Sequence, residues 1–399
     1  MRPGRRSAVS WQSRKERPIV KFRVERDVLA DAVAWTARTL PVRPSVPVLA
    51  GMLLDAEDEG ERQRLKLSSF DYEVSAQVSV DVDIDEPGRI LVSGKLLAEI
   101  VRNLPPQTVE VSTDGAKVVV SCGSARFTIL TLPVEDYPTL PAMPALTGSV
   151  LSDAFAAAVS QVAVAAGRDD TLPMLTGVRV EIEGSTVTLA STDRYRLAVR
   201  ELTWTPEDPD VSAVALVPAK TLADTAKSLT GGAQVSIALS TADNGGEGMI
   251  GFEGGGRRTT TRLLDGEFPK YRKLLPESFN SVAEVQKAEF VEAVKRVSLV
   301  AERNTPLRLA FNSGRLVLEA GTGEEAQAVE ELEANLEGDD IQIAFNSTFL
   351  LDGLNAIESD VARLQFTTST KPAIITGKAA DDGTVSDYRY LIMPVRLSN

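Results

Sequence analysis

Histidine is absent from the 399-residue sequence. The commonest general base and the commonest metal ligand are therefore missing together. One cysteine, Cys122, excludes an internal disulfide and any Cys-rich zinc site. It lies in an alternating run, VVVSCGS, that reads as a packed, inert thiol. No apolar run approaches the roughly 18 residues of a membrane span, and no secretory signal is visible. The expected compartment is the cytoplasm, with no membrane partner. What is present is ordinary for a folded chain: 43% hydrophobic and 25% charged residues, enough to build sizeable cores. The net charge of −13 argues against a protein that coats nucleic acid with its whole surface.

The acidity is unevenly distributed. Residues 1–19, MRPGRRSAVSWQSRKERPI, carry six Lys or Arg against one Glu, so the body that follows is more acidic than the whole. No apolar period runs through this arm. It reads as a disordered basic extension or the product of an upstream start, with a nucleic-acid-binding arm as the functional alternative.

Enzyme signatures fail on spacing. Gly88 to Lys95 has five residues between its glycines and Leu96 where a phosphate loop needs Ser or Thr. The glycine-rich run at 245–256 follows no strand–helix unit able to hold a dinucleotide and reads as a hairpin. The pairs Asp169-Asp170, Asp339-Asp340 and Asp381-Asp382 read as solvated turns. No nucleophile has a visible base. No catalytic residue, metal or cofactor is expected.

The body contains a threefold repeat beginning at Lys21, near Gly148 and near Ser281. Each copy opens with an apolar helical period. In the first this is Val28, Leu29, Ala32, Val33, Thr36 and Leu40. In the second it is Phe155, Val159, Val162, Ala163 and Ala166, and in the third Phe290, Val291, Val294, Val297 and Ala301. A hairpin follows each, turning around Gly60, at Glu183-Gly184 and at Ser313-Gly314, where glycine supplies positive φ. Each copy then repeats its plan. A short strand leads into a second helix at 90–104, 215–229 and 343–357, and three strand-like runs follow. Turn signals stand at Asp114-Gly115 and Asn244-Gly245-Gly246.

Each domain thus holds two strand–helix–three-strand units. Short turns require antiparallel pairing, and one helix per unit must cover one sheet face. The fold class is α+β, with domains at 20–146, 147–277 and 278–399.

Five strings occur in order on this repeat: KFRVERDVL (21–29), RPSVPVLAG (43–51), ASTDRYRLAV (190–199), LLDGEFPKYRKLLP (263–276) and MPVRL (393–397). Together they resemble the beta sliding clamp family, the beta subunit of bacterial DNA polymerase III, across residues 20–399. The Ala/Val-rich composition resembles actinobacterial members. The resemblance implies a DNA clamp fold with sheets outside and helices lining a hole. It implies a head-to-tail homodimeric ring that encircles double-stranded DNA without sequence preference. Its partners would be the polymerase III alpha subunit, the clamp loader and other proteins bearing clamp-binding motifs. Retention by topology needs only weak phosphate contacts, and tight base readout would anchor the ring. The alternative from another class is a repeat-built peptide-binding scaffold that does not encircle DNA.

Three sets of residues follow from the resemblance. Candidate DNA-facing cations are Arg26, Arg38, Lys95, Arg102, Lys220, Lys227, Lys295 and Arg296 on the helix segments, with Arg43 and Arg168 on loops. Each is also readable as part of a solvated helix face or loop. The family's second-domain loop carries adjacent aromatics; here it reads RDDTLPML, and Arg168 would offer a phosphate contact instead. A peptide pocket between the second and third domains maps to Leu175, Thr192, Arg196, Leu197, Pro269, Lys273 and Leu274 on one side. Its other side maps to Asn346, Phe349, Pro372, Met393, Pro394, Val395 and Arg396. Apolar walls would supply affinity and a few polar atoms register. Leu197 and Leu274 also fit a plain core. Phe127 matches a dimer-interface aromatic, with a core position as its alternative.

Overall fold

The computed structural model describes residues 20–58, 60, 62–240, 248–301, 305–321, 326–379 and 386–396. The basic arm, the Asn244-Gly245-Gly246 turn, the pair Asp381-Asp382 and Leu397 lie outside the described residues. Two compact units, Met1–Pro141 and Ala142–Asn399, are distinguished.

The first unit runs β1 (Lys21–Glu25), α1 (Arg26–Ala37), β2 (Gly51–Asp58), β3 (Gln63–Phe70), β4 (Val74–Asp81) and β5 (Asp83–Glu86). It continues β6 (Gly88–Ser93), α2 (Gly94–Arg102), β7 (Thr108–Asp114), β8 (Lys117–Cys122) and β9 (Ala125–Leu132). Its strand order is β4-β3-β2-β6-β9-β8-β7-β1-β5. The strand leading into each helix therefore pairs in the other half: β6 lies on β2, and β1 lies on β7. This exchange ties the two halves of the repeat into one sheet. Gly88 to Lys95 is β6 running directly into α2, with no phosphate-binding loop between them.

The second unit contains the plan twice. Its first copy is β10 (Leu146–Leu151), α3 (Ser152–Ala163), β11 (Gly177–Glu183), β12 (Thr186–Thr192), β13 (Arg196–Thr203) and β14 (Thr205–Pro206). It is completed by β15 (Ser212–Pro218), α4 (Ala219–Ser228), β16 (Gln234–Ser240), β17 (Met249–Gly254) and β18 (Arg257–Arg262). The second copy is β19 (Ser281–Gln286), α5 (Lys287–Val297), β20 (Leu307–Asn312), β21 (Arg315–Ala320), β22 (Ala328–Glu333) and β23 (Asn335–Gly338). It closes with β24 (Ile341–Phe345), α6 (Ser347–Asn355), β25 (Val361–Phe366), β26 (Ala373–Lys378) and β27 (Tyr388–Ile392). The lead strands exchange again: β15 on β11, β10 on β16, β24 on β20 and β19 on β25. All pairs are antiparallel, as the short turns require, and β13 pairs with β27 to give one sheet ordered β15-β11-β12-β13-β27-β26-β25-β19-β23.

The α+β class and the six strand–helix–three-strand units are as the sequence pattern implies. Each copy adds one short strand that the pattern does not reveal: β5, β14 and β23, pairing with β1, β10 and β19. These strands are two to four residues long, too short for an alternating signature.

Helix faces follow the i, i+3, i+4 rule. The second helices bury Leu97, Ile100 and Val101; Leu222, Thr225 and Ala226; and Leu350, Gly353 and Leu354. Three expected core positions differ. Val28 is 41% exposed: it stands in the first turn of α1, at the margin of the face formed by Leu29, Ala32, Val33 and Thr36. Ala163 and Ala301 are half-buried, since α3 ends at Ala163 and α5 gives way at Ser298 to a 3-10 turn. The second repeat's hairpin turn falls on Gly184 and Ser185, one residue later than expected, with Gly184 at φ 54°. Cys122 is buried and its Sγ donates to the Pro105 and Gln107 carbonyls.

Gly353 faces the Tyr390 ring so closely that a Cβ would stand 2.5 Å from it. Gly353→Ala gains about 1 kcal/mol of helix propensity, against an overpacking cost of about 1–3 kcal/mol. The variant should melt a few degrees below the parent in a thermal scan, where an exposed helix glycine would raise the midpoint.

Candidate functional site

The β13–β27 ladder brings the candidate pocket residues of the second unit together. Arg196 pairs with Ile392 and Leu197 with Leu391. One step beyond the ladder, the Met393 amide donates to the Tyr195 carbonyl at 2.9 Å. The Val395 amide donates to the Ala344 carbonyl of β24 at 2.8 Å. The segment at 393–396 is thereby held at two points, and the side chains of Met393 (39%) and Val395 (38%) remain partly exposed. Pro394 between them is half-buried and Arg396 is exposed.

A tight turn ahead of β13 shapes one wall. The Asp193 carboxylate accepts from the Tyr195 and Arg196 amides at 3.0 and 3.1 Å. Thr192 Oγ1 donates to the Arg196 carbonyl at 2.6 Å, and Arg194 takes a left-handed φ of 80°. The turn projects Tyr195, 57% exposed, onto Phe349 of α6, with ring centroids 6.3 Å apart. The Arg196 guanidinium stands 4.4 Å over the same Phe349 ring. It is almost fully buried and pairs with Asp193 at 3.0 Å and with Asp352 of α6. Tyr390 donates its hydroxyl to the Phe349 carbonyl at 2.8 Å, and burial pushes that phenol well above its usual range. Asn346 caps α6 by accepting from the Phe349 amide at 3.1 Å. Two aromatic rings and one buried guanidinium thus form a rigid wall beside a half-exposed apolar strand end.

The other wall is the linker at 263–276. Phe268 and Tyr271 are buried in a cluster with Leu197, Leu216, Ile374 and Leu391. Leu197 is 1% exposed, so its alternative as core is the one the geometry favours. A charge placed there would be a folding lesion before it disturbed any ligand. Pro269, Lys273 and Leu274 are exposed on the same linker, Leu274 at 51%. Leu175 is buried at the end of a 3-10 turn before β11, and Pro372 is half-buried ahead of β26. Sequence reasoning missed Tyr195, Asp193, Asp352 and Tyr390. The Asp-x-x-Arg turn chemistry was visible in TDRYR, whereas nothing near Asp352 signals a partner far away in sequence.

The candidate cations divide by what they touch. Arg26 is half-buried and paired with Asp27 at 3.0 Å. Lys295 pairs with Glu292 at 2.7 Å, and Arg296 with Glu330. Arg38, Lys95, Arg102, Lys220 and Lys227 are exposed on or beside helices, and Arg43 and Arg168 are exposed on loops. Phe127 is 38% exposed on β9, beside which Leu130 is 69% exposed, so Phe127 is not a core residue of this chain. Asp169 accepts from both the Thr171 amide and hydroxyl, which is turn geometry.

Glu181 holds the linker in place. It is buried and accepts from the Tyr271 hydroxyl at 3.0 Å, while Arg179 and Arg272 pair with it. Burial alone would raise its carboxyl, but the hydrogen bonds from Arg179, Arg272 and Tyr271 outweigh that and pull it below the usual 4.5. A carboxyl depressed in the folded state stabilises above its unfolded value and stops doing so as pH falls through its folded one. Glu181→Gln should therefore unfold at lower denaturant than the parent at pH 7, and the gap should close as pH falls below 4.5 and through the lowered folded value.

Three family descriptions cover the chain: DNA polymerase III beta subunit N-terminal domain over residues 20–141, central domain over 149–270 and C-terminal domain over 272–396. The chain is 67% identical over 380 residues to the beta sliding clamp of Streptomyces coelicolor, spanning 95% of this chain and 100% of the relative. It is 48% identical over 378 residues to the beta sliding clamp homolog GriR of Streptomyces muensis, spanning 94% and 99%. Among solved structures, the DNA polymerase sliding clamp of Bacillus subtilis matches with TM-score 0.85 at 26% identity, over 95% of this chain and 100% of that one. The sliding clamp of Pseudomonas aeruginosa bound to griselimycin matches with TM-score 0.85 at 28% identity, over 95% and 100%. With its repeat, its exchanged strands and its docked terminal segment all laid on that template, the chain belongs to the DNA polymerase III beta subunit family of sliding clamps.

Proposed function

We propose that the chain works as a processivity clamp. Two copies close head-to-tail into a ring around duplex DNA, and the ring tethers the replicative polymerase without doing chemistry itself. The observation that carries this reading is family membership across nearly the whole chain, from Val20 to Arg396. The charge pattern supports it. Across the six helices Lys and Arg are matched one for one by Asp and Glu, on a chain of net charge −13. A neutral lining in an acidic shell tolerates phosphates inside and repels them outside. Ring closure would use sheet edges. Among the described residues β9 pairs with β6 only through Leu132 and Thr131, leaving the stretch with Phe127 and Leu130 open, and β22 is the outer strand of its sheet. Such edges join one sheet to the next and are hidden by closure.

The wall of Tyr195, Phe349, Met393 and Val395 is the proposed seat for short apolar segments of the polymerase alpha subunit, the clamp loader and other clamp-binding proteins, in the cytoplasm. Aromatic anchors beside a fixed backbone suit peptide capture.

Loaded onto a nicked circle, the protein should survive high salt and leave when the circle is cut. Retention that ignores DNA topology would favour a peptide-binding scaffold instead. Tyr195→Ala, or removal of residues 393–397, should weaken a fluorescent polymerase-tail peptide by about tenfold or more while the dimer elutes unchanged. Unaltered peptide affinity in both would place the seat elsewhere.

A further inference from the structure

The second helices of the three repeats can be superposed by sequence position. α2 reads GKLLAEIVR, α4 reads AKTLADTAKS and α6 reads STFLLDGLN. The acid at the sixth position of the motif is shared: Glu99, Asp224 and Asp352. In α2 and α4 this acid is flanked by two cations seven residues apart, Lys95 with Arg102 and Lys220 with Lys227. Seven residues are two turns, so each pair lies on one face about 10.5 Å apart. All four are exposed, and no ion pair engages them among the described residues. In α6 the same two positions are Thr348 and Asn355, and Asp352 is taken by Arg196.

The other helix of the third repeat does not make up the difference. On α5, Lys287 donates to the Ile357 carbonyl at 2.8 Å, Lys295 pairs with Glu292, and Arg296 pairs with Glu330. Glu289 adds a further exposed acid to that face.

Resting on the clamp reading above, we infer that this chain grips duplex DNA unevenly: the phosphate contacts of its helices come from Lys95, Arg102, Lys220 and Lys227, and the third repeat contributes none. The third repeat has exchanged its cations for a role in the peptide wall, where α6 supplies Phe349 and Asp352. In a head-to-tail dimer the cationic helices would then alternate with two neutral stretches.

Equilibrium binding of the dimer to a primed duplex across a salt series tests this. Each lost phosphate contact lowers the slope of log K against log salt by about 0.9. In the dimer, which carries each residue twice, the Lys95→Gln, Arg102→Gln, Lys220→Gln, Lys227→Gln variant should lose a slope of about 7 and bind at least tenfold more weakly at low salt. Lys295→Gln with Arg296→Gln should leave the slope unchanged. Thr348→Lys with Asn355→Lys should raise it, which needs no loss of stability to interpret. Equal losses from the two glutamine variants, or no gain from the lysine variant, would overturn the uneven grip. Retention of the parent on a nicked circle is measured alongside. Normal retention with equal slopes sinks only this inference, whereas failure of retention sinks the clamp reading and the inference with it.

Discussion

Pairing of β13 with β27 is the constraint on which the candidate site depends. The ladder joins strands nearly two hundred residues apart in sequence and makes one sheet of the middle and last repeats. It removes two sheet edges that would otherwise invite foreign strands. It also places Arg196 at the sheet's margin, nearly sealed from water. Taking a guanidinium out of water costs several kcal/mol, recovered only with good geometry and full hydrogen bonding. Here Asp193 of the turn and Asp352 and the face of Phe349 on α6 supply that geometry from two elements. Arg196 also donates to the Tyr390 hydroxyl on β27, so turn, helix and terminal strand meet at one guanidinium. The groove wall is rigid because a buried ion demands it.

The repeat was legible because it is written in local chemistry. Alternation marks strands, the 3.6 period marks helices, and Gly60, Gly184 and Gly314 stand where a positive φ is needed. The pairing of lead strands across halves was not legible, since either half offers an equivalent edge. Val28 differs because it stands in the first turn, at the margin of the buried face, which the 3.6 period alone does not mark. At the site, the apolar terminus and the TDRYR string were readable, and Pro394 hinted at a fixed chain end. The partnership of Arg196 with Asp352 was not, being a contact between residues 156 apart. Leu197 carried both readings in the sequence, and only its cover by Phe268, Tyr271 and Leu391 distinguishes them.

Repetition also lets one scaffold position serve different ends. Pro47 before β2 and Gly51 at its start match Pro173 and Gly177 around β11, and four residues past each glycine stand Asp55 and Glu181. Glu181 receives Tyr271 and Arg272 from the following linker and fixes it. Asp55 faces Arg89 and Lys66 across its own sheet instead, and burial holds its carboxyl above the usual range, with Arg89 only partly offsetting it. The linker after the first repeat has Leu140 and Pro141 near the corresponding place and cannot grip in the same way. The first linker is held instead by apolar packing, with Tyr137 buried against Val48, Leu53, Phe70 and Leu91, whereas the second adds a phenol and an ion pair to its packing.

The same logic explains how an acidic chain belongs to a family of DNA clamps. Sequence-specific adhesion needs bidentate contacts to base edges and dense phosphate neutralisation. Enclosure needs neither. With topology preventing escape, affinity beyond a few phosphate contacts only slows sliding. A balanced helix set is then sufficient, and individual helices are released from carrying charge. α6 illustrates the release: Asp352, which in α2 and α4 has its counterpart between two cations, here neutralises Arg196 at the groove. A binder that held DNA by adhesion would lose affinity with each such exchange, whereas a ring loses almost nothing.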